Sequence, residues 1–416
     1  MSSRKISLVM VGHKDHGKST LIGRLLYDSQ AIPEEKITEI KRETQNIGKF
    51  RFSYLLDSLE EERAGGLTID IMHTPFKTSK RLYHIIDCPG HREFVKNMIT
   101  GASQADAAVL VVSAQEGIQD QTRQHAFLTK TLGINQLVAV INKMDQVSYQ
   151  EPQYQKTRRN LTSFLEDLGY EEVSVVPISA MNGDNVYHKS QNMPWYSGPP
   201  LTETLDNTIT PTKPPLDKPV RGIVQDTYPY QDYQRIVACK IETGTLHQGE
   251  PVVFNPSGKT GTLKKILASD TETEQAAPGD SVGLLIEGVN TVPRGEVLST
   301  PKNPPPTVEK FTAQIILLSD IQLTNGNQLT IRYGTARKRC QVHRILTEID
   351  PTQLTTTSQH PSVLSGDSVG KVQFTPLEPI CLEEYSTFPP LGRFVIEGKK
   401  GTAAAGIILE TTHPHQ

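Results

Sequence analysis

The sequence predicts an α/β domain with a doubly wound, mostly parallel sheet, followed by two small β-barrels. Three observations carry this expectation. Up to residue 207, short apolar runs alternate with amphipathic stretches, the pattern of βαβ units. The first of those runs leads directly into a glycine-rich loop and then a helix. Beyond residue 219 helical periodicity is scarce, and short β-branched runs alternate with glycine and proline turns.

The elements of the first part follow in order. Ile6–Val11 is an apolar run suited to a buried strand, and Leu21–Leu26 reads as the first turns of a helix. Ala31–Asn46 reads as an extra helix, with Pro33 near its start and Gly48 beyond its end. Leu82–Asp87, Ala107–Ser113, Leu137–Asn142 and Val173–Ile178 are the clearest further strands, with the amphipathic segments Phe94–Ser103 and Gln121–Leu132 between them. The domain boundaries follow from composition. Residues 1–207 form the α/β domain, and 208–219, with four prolines, form a stiff linker. Residues 220–301 form one barrel and 305–416 the other, separated by the proline-rich turn at 301–306. In the first barrel, strands are expected at Arg221–Asp226, Arg235–Ile241, Pro251–Phe254, Gly261–Leu267 and Ser281–Glu287. In the second they are expected at Phe311–Leu318, Gln328–Tyr333, Arg339–Ile349, Ser368–Pro376 and Gly392–Leu409.

The chain has 416 residues, 36% hydrophobic and 21% charged, with a net charge of −3, so it is not a generally basic nucleic-acid binder and is not a DNA-binding candidate. Its four cysteines, Cys88, Cys239, Cys340 and Cys381, lie far apart, which suits a reducing cytoplasm and disfavours a zinc site or a disulfide framework. Met1–Lys5 leads straight into the first strand without a signal-peptide pattern, and no apolar run reaches a membrane span of about 18 residues. A cytoplasmic protein is expected.

The chemistry is carried by motifs at strand ends. Gly12-His13-Lys14-Asp15-His16-Gly17-Lys18-Ser19-Thr20 fits G-x-x-x-x-G-K-[ST], the phosphate-binding P-loop. Glycines there let backbone N–H groups point at phosphate oxygens, and the helix N-terminus adds partial positive charge. Lys18 is placed to reach the β and γ phosphates and the Ser19 hydroxyl to ligate Mg²⁺. Asp87-Cys-Pro-Gly90 follows a strand; its carboxylate can hold Mg²⁺ through water and the Gly90 N–H can sense a γ-phosphate. Asn142-Lys143-Met144-Asp145 carries base specificity. A carboxylate at Asp145 accepts from both N1–H and the exocyclic amine of guanine, donors that adenine does not present in that arrangement. Asn142 contacts the other side of the ring, the Lys143 stem covers it, and a backbone N–H at Ser179-Ala180 can meet the guanine oxygen. Thr68 is a candidate second Mg²⁺ ligand once γ-phosphate is present. The ligands expected are therefore GTP or GDP with Mg²⁺, on a P-loop GTPase domain.

With these motifs assembled, the chain resembles the GTPases of the elongation factor Tu and elongation factor one-alpha group. Gly12–Thr20 is close to their G-H-x-D-H-G-K-[ST]-T, Asp57–Asp70 to their switch segment, Asp87–His91 to D-x-P-G-H, and Phe94–Asp106 to theirs throughout. The resemblance covers nearly the whole chain and implies that switch segments fold around γ-phosphate, the domains close, and hydrolysis releases the partner. By the same resemblance His91 orients the attacking water. His13 and His16 support the loop backbone. The function implied is delivery of aminoacyl-tRNA to the ribosome, with a nucleotide exchange factor as a further partner. The extra helix and Asn192–Leu201 look equally like the GTPase subunit of sulfate adenylyltransferase, whose partner is an adenylyltransferase chain. A ribosome-associated GTPase carrying a protein partner is a third reading. Two departures stand out. Tyr228–Arg235 lacks the G-x-G-T turn that elongation factors place near the aminoacyl end of tRNA, and Lys14 replaces an aliphatic residue. Arg337-Lys-Arg339, with Arg344 nearby, is a small basic cluster that can touch a tRNA backbone or simply form a solvated face.

Overall fold

The computed structural model describes residues 6–32, 34–35, 37–38, 52, 72–87, 105–211, 214–230, 235–268, 271–318, 321–350, 353, 355–366, 368–399 and 401–413, the side chains of 72–74 and 87 excepted. The expected helix at 31–46 and the segment 88–104 lie wholly or mostly outside these residues. The chain divides after residue 212 into two compact units, the first holding the α/β domain and the second both barrels.

In the first unit, six strands form one sheet: β1 (Ile6–Gly12), β2 (Met72–Lys77), β3 (Leu82–Asp87), β4 (Ala107–Ser113), β5 (Leu137–Asn142) and β6 (Ser174–Pro177). Their order is β2-β3-β1-β4-β5-β6. All neighbours are parallel except β2 and β3, so the mostly parallel sheet is as expected. Every residue of β4 and β5 is buried, which is why these strands read as unbroken apolar runs rather than alternating ones. The α-helices with defined ends are α1 (Lys18–Asp28), α2 (Asp120–Thr131), α3 (Glu151–Asp167) and α4 (Leu201–Thr208). The Gln119 and Thr122 side chains cap the start of α2 reciprocally, and Pro152 stands in the first turn of α3, where its missing N–H is harmless. Leu21 and Leu25 of α1 pack with Leu8, Met10, Val109 and Val140 in one core.

The stretch after α4 is tied down at its start. Ile209 is buried in the same core, and the Gln136 side-chain amide pairs both with the Thr210 N–H at 2.8 Å and with its carbonyl at 2.9 Å.

In the second unit, the first barrel consists of β7 (Arg221–Pro229), β8 (Arg235–Thr243), β9 (Pro251–Asn255), β10 (Lys259–Ala268), β11 (Ser281–Glu287) and β12 (Val297–Ser299). Strand β9 pairs with both β10 and β12, which closes a six-stranded ring. The three-residue β12, too short to show an alternation in sequence, is the strand that completes it. The second ring is β13 (Lys310–Leu317), β14 (Gln328–Tyr333), β15 (Ala336–Asp350), β16 (Val369–Pro376), β17 (Arg393–Gly398) and β18 (Gly401–Thr412). Here β14 pairs with both β15 and β17 to close the ring. The expected single strand Gly392–Leu409 is two strands of a hairpin instead. Gly398 and Gly401 pair across the turn, and Gly401 takes a φ of 119° there. Phe311, Phe374 and Phe394 fill this second barrel with ring centroids 5.1 to 5.8 Å apart.

Candidate nucleotide site

The phosphate loop lies at the carboxyl end of β1, between β3 and β4, where the strand order reverses and open α/β sheets bind ligands. Gly12 and Gly17 have φ of 139° and 91°, and Asp15 adopts 62°, so the chain coils tightly between strand and helix. Gly17 is the left-handed N-cap of α1. A Cβ at residue 17 would collide with the Asn142 amide nitrogen. Lys18 Nζ lies within the coil, donating to the carbonyls of Gly12 at 3.0 Å and His13 at 2.8 Å. Ser19 and Thr20 occupy the first turn of α1, both half-buried. That turn carries no acidic residue, whereas α2, α3 and α4 carry Asp120, Glu151 and Glu203 in theirs. The amide-rich start of α1 therefore keeps its positive end for an anion.

The base motif is joined to this loop by one side chain. Asn142 Nδ2 donates to the His16 carbonyl at 2.9 Å, and its Oδ1 accepts from the Ala180 N–H at 2.9 Å. The phosphate loop, the end of β5 and the loop after β6 thus share a single amide group. Of the two backbone N–H groups at Ser179-Ala180, one of which is expected to meet the guanine oxygen, that of Ala180 donates to Asn142 Oδ1 and that of Ser179 to the Asp184 carbonyl at 3.1 Å in this structure. The Ser179 hydroxyl donates to Asp145 Oδ1 at 2.6 Å and orients that carboxylate. Lys143 takes a left-handed φ of 63° at the turn, with Nζ 4.0 Å from Glu116 Oε1.

His16 is fully buried below the loop. Its Nδ1 faces the Val111 carbonyl at 3.3 Å and its Nε2 lies 3.6 Å from Glu116 Oε2. Burial lowers its pKa from 6.5 to about 4; the Val111 carbonyl and Glu116 act in the opposite sense but do not prevail. The imidazole is neutral at pH 7 and sits beneath the loop against β4. His13 stacks edge-on against it at 5.0 Å.

Sequence reasoning did not single out four residues that the structure brings to this site. Two are on α2: His125 Nδ1 accepts from the Gly12 N–H at 3.2 Å, and Gln121 Oε1 accepts from the Lys14 N–H at 2.6 Å. The third is Glu116, and the fourth is Arg24 of α1. None belongs to a short motif, so only packing reveals them. The Lys14 side chain is exposed. Thr68, Gly90 and His91 lie outside the described residues, and Asp87 is the last residue of β3, its side chain not described.

On the second unit, the basic cluster is largely matched by acids. Arg337 pairs with Glu397 at 2.8 Å and Lys338 with Glu378 at 3.1 Å. Among the described residues no helix is long and apolar enough to cross a membrane.

Comparison with known proteins agrees with this architecture. Residues 3–211 match the elongation factor Tu GTP-binding domain, 234–299 match elongation factor Tu domain 2, and 310–409 match a GTP-eEF1A C-terminal domain-like family. Elongation factor 1-alpha of Archaeoglobus fulgidus is 41% identical over 414 residues, covering 98% of each chain. The protein of that name from Methanocaldococcus jannaschii is 42% identical over 416 residues, covering 97% of each. A loop built for phosphates, a guanine motif bonded to it and two six-stranded barrels thus coincide with full-length relatedness, and the chain belongs to the elongation factor Tu/elongation factor 1-alpha family of translational GTPases, which bind and hydrolyse GTP.

Proposed function

We propose that this GTPase carries aminoacyl-tRNA to the ribosome in its GTP form and releases it after hydrolysis to GDP. The reading is supported above all by relatedness to elongation factor 1-alpha over 98% of the chain, barrels included. It calls for a cytoplasmic protein and for a nucleotide exchange factor. The phosphates lie in the coil of Gly12, His13, Asp15, His16 and Gly17, with Lys18 leaving its loop carbonyls to meet the β and γ oxygens. Asp145 reads guanine, Asn142 holds the loops together, and Lys143, Ser179 and Ala180 frame the base.

Mg²⁺ fits the oxygen donors this chain provides. Ser19 and Thr68 would hold it directly and Asp87 through water, a hard-oxygen set of the kind this ion prefers. Bound there, it would neutralise charge on the β and γ phosphates. His91 positions the attacking water in line with the γ-phosphorus, and the Gly90 N–H registers the γ-phosphate. In the tRNA role, GTP but not GDP protects the aminoacyl ester from hydrolysis. Equal ester lifetimes with the two nucleotides would refute it. In the same assay series, His91→Ala is expected to slow single-turnover hydrolysis by about 10²-fold or more while nucleotide affinity holds; a large loss of affinity would remove His91 from the catalytic role.

A further inference from the structure

Arg24 stands two turns into α1, past the residues that face phosphate, yet its side chain reaches the base-recognition loop. Nε donates to the Ala180 carbonyl at 3.1 Å and Nη2 to the Met181 carbonyl at 2.6 Å. The planar fork of a guanidinium matches two successive carbonyls in a way a lysine cannot. Asp28, one turn along α1, accepts from Nη1 at 3.3 Å and fixes the fork from behind. The side chain is only 13% exposed; its bond to Ala180 is part-buried, where a charge-assisted hydrogen bond is stronger, and its bond to Met181 lies at the surface. Gly183, with φ of 84°, brings the loop so close that a Cβ there would sit 3.2 Å from Nη1.

The same guanidinium has a second neighbour. Its carbon lies 3.9 Å from the centroid of the Phe52 ring, a cation–π contact, and the Tyr27 ring meets Phe52 edge-on at 5.5 Å. Phe52 is itself buried, and its carbonyl sits where a side chain at Gly23 would have to be. In sequence Phe52 stands five residues before Asp57, where the switch-like segment begins.

We infer that Arg24 is a positioning residue for guanine-nucleotide retention: it clamps the loop carrying Ser179 and Ala180 to the helix that follows the phosphate loop. The inference rests on the guanine-nucleotide reading of the site. Arg24 touches neither phosphate nor base. It acts through the Ala180 and Met181 carbonyls, on the segment whose Ala180 N–H holds Asn142 and whose Ser179 hydroxyl holds Asp145. Phe52 packs on one face of the guanidinium and keeps it in register.

The test is the dissociation of a fluorescent GDP analogue from the full chain, together with steady-state GTP hydrolysis. Wild-type protein must first bind the analogue; if it does not, the nucleotide reading itself fails. With binding established, Arg24→Ala is expected to raise the dissociation rate about tenfold or more, the scale of losing two charge-assisted hydrogen bonds. The loss should fall on KM for GTP more than on kcat. Arg24→Lys, which keeps the charge but not the fork, should restore part of the retention, and Phe52→Leu should raise the rate by a smaller factor. If Arg24→Ala does not fold, Arg24→Lys carries the test, with a rise of several-fold expected. Dissociation rates equal to wild type in the folded variants, or a loss confined to kcat, would overturn the inference.

Discussion

A single buried imidazole gives the phosphate loop a pH dependence. His16 has a pKa of about 4 in the folded chain, below its ordinary 6.5, because burial disfavours the charged ring more than Glu116 and the Val111 carbonyl favour it. The unfolded chain therefore binds that proton first. The contribution is fully present above pH 6.5 and is lost as pH falls toward 4, by at most about 3 kcal/mol. Urea unfolding measured from pH 7 to 4 should show this loss, and His16→Asn should flatten it; identical slopes in both proteins would mean the ring does not titrate as described. Asp145 is the second decisive residue. Its carboxylate accepts from the Ser179 hydroxyl at 2.6 Å, an orientation that would prepare it for guanine under the proposed reading. Asp145→Asn is expected to move preference from guanine toward xanthine nucleotides, read as competition between GDP and XDP. Unchanged GDP affinity would contradict its role.

At the level of elements, the site is a junction of loops held by side-chain amides and backbone groups. Gly17 must be left-handed and must have no Cβ, because Asn142 passes directly over it. Gly17→Ala is expected to displace Asn142, to destabilise the first unit by about 1–3 kcal/mol, and to weaken GDP binding; a calorimetric titration matching wild type would show that the loop absorbs the methyl group. The start of α2 takes part as well. Through Gln121 and His125 it holds the amides of Lys14 and Gly12, so the phosphate loop is braced from the helix beyond β4 as well as from its own strand. The amphipathic pattern of 121–132 revealed that a helix was there but not that its first turn faces the loop. Periodicity reports the face a helix buries, not the particular atoms its terminus reaches. The hairpin at Gly398–Gly401 is a different case: its Gly-Lys-Lys-Gly turn is a local signal within the stretch 392–409, expected to be a single strand.

In the whole molecule, the second unit joins its two barrels by a part-buried ion pair. Arg221 of β7 meets Glu383 through two hydrogen bonds of 3.1 and 3.0 Å, and its third nitrogen donates to the Asn303 carbonyl at 2.7 Å. Beside it, Ile223 of the first barrel packs in the core of the second, and the Thr335 hydroxyl bonds the Val224 carbonyl. The barrels are therefore expected to unfold together. Removing one partner of such a pair leaves an uncompensated charge, so Arg221→Leu should lower stability by about 3–5 kcal/mol and separate the thermal transition of the second unit into two steps. A single unshifted transition would show that apolar packing alone couples them. The basic run Arg337–Arg339, which in sequence reads equally as a tRNA contact or a solvated face, has Glu397 and Glu378 as neighbours that are distant in the chain.

The fold class, the mostly parallel sheet and the two barrels were legible from the sequence, because burial on both faces and turn chemistry leave local, periodic marks. The phosphate loop and the guanine motif were legible for the same reason: each is a short run in which backbone geometry dictates residue type. Only the tertiary structure decided how they are joined. Asn142, Arg24, Gln121, His125 and Glu116 act on residues brought near by strand order rather than by spacing, and β12 closes its barrel with three residues that carry no signal of their own. Contacts between segments far apart in sequence leave no period to read, and they are what joins the phosphate loop to the Asn142–Asp145 motif.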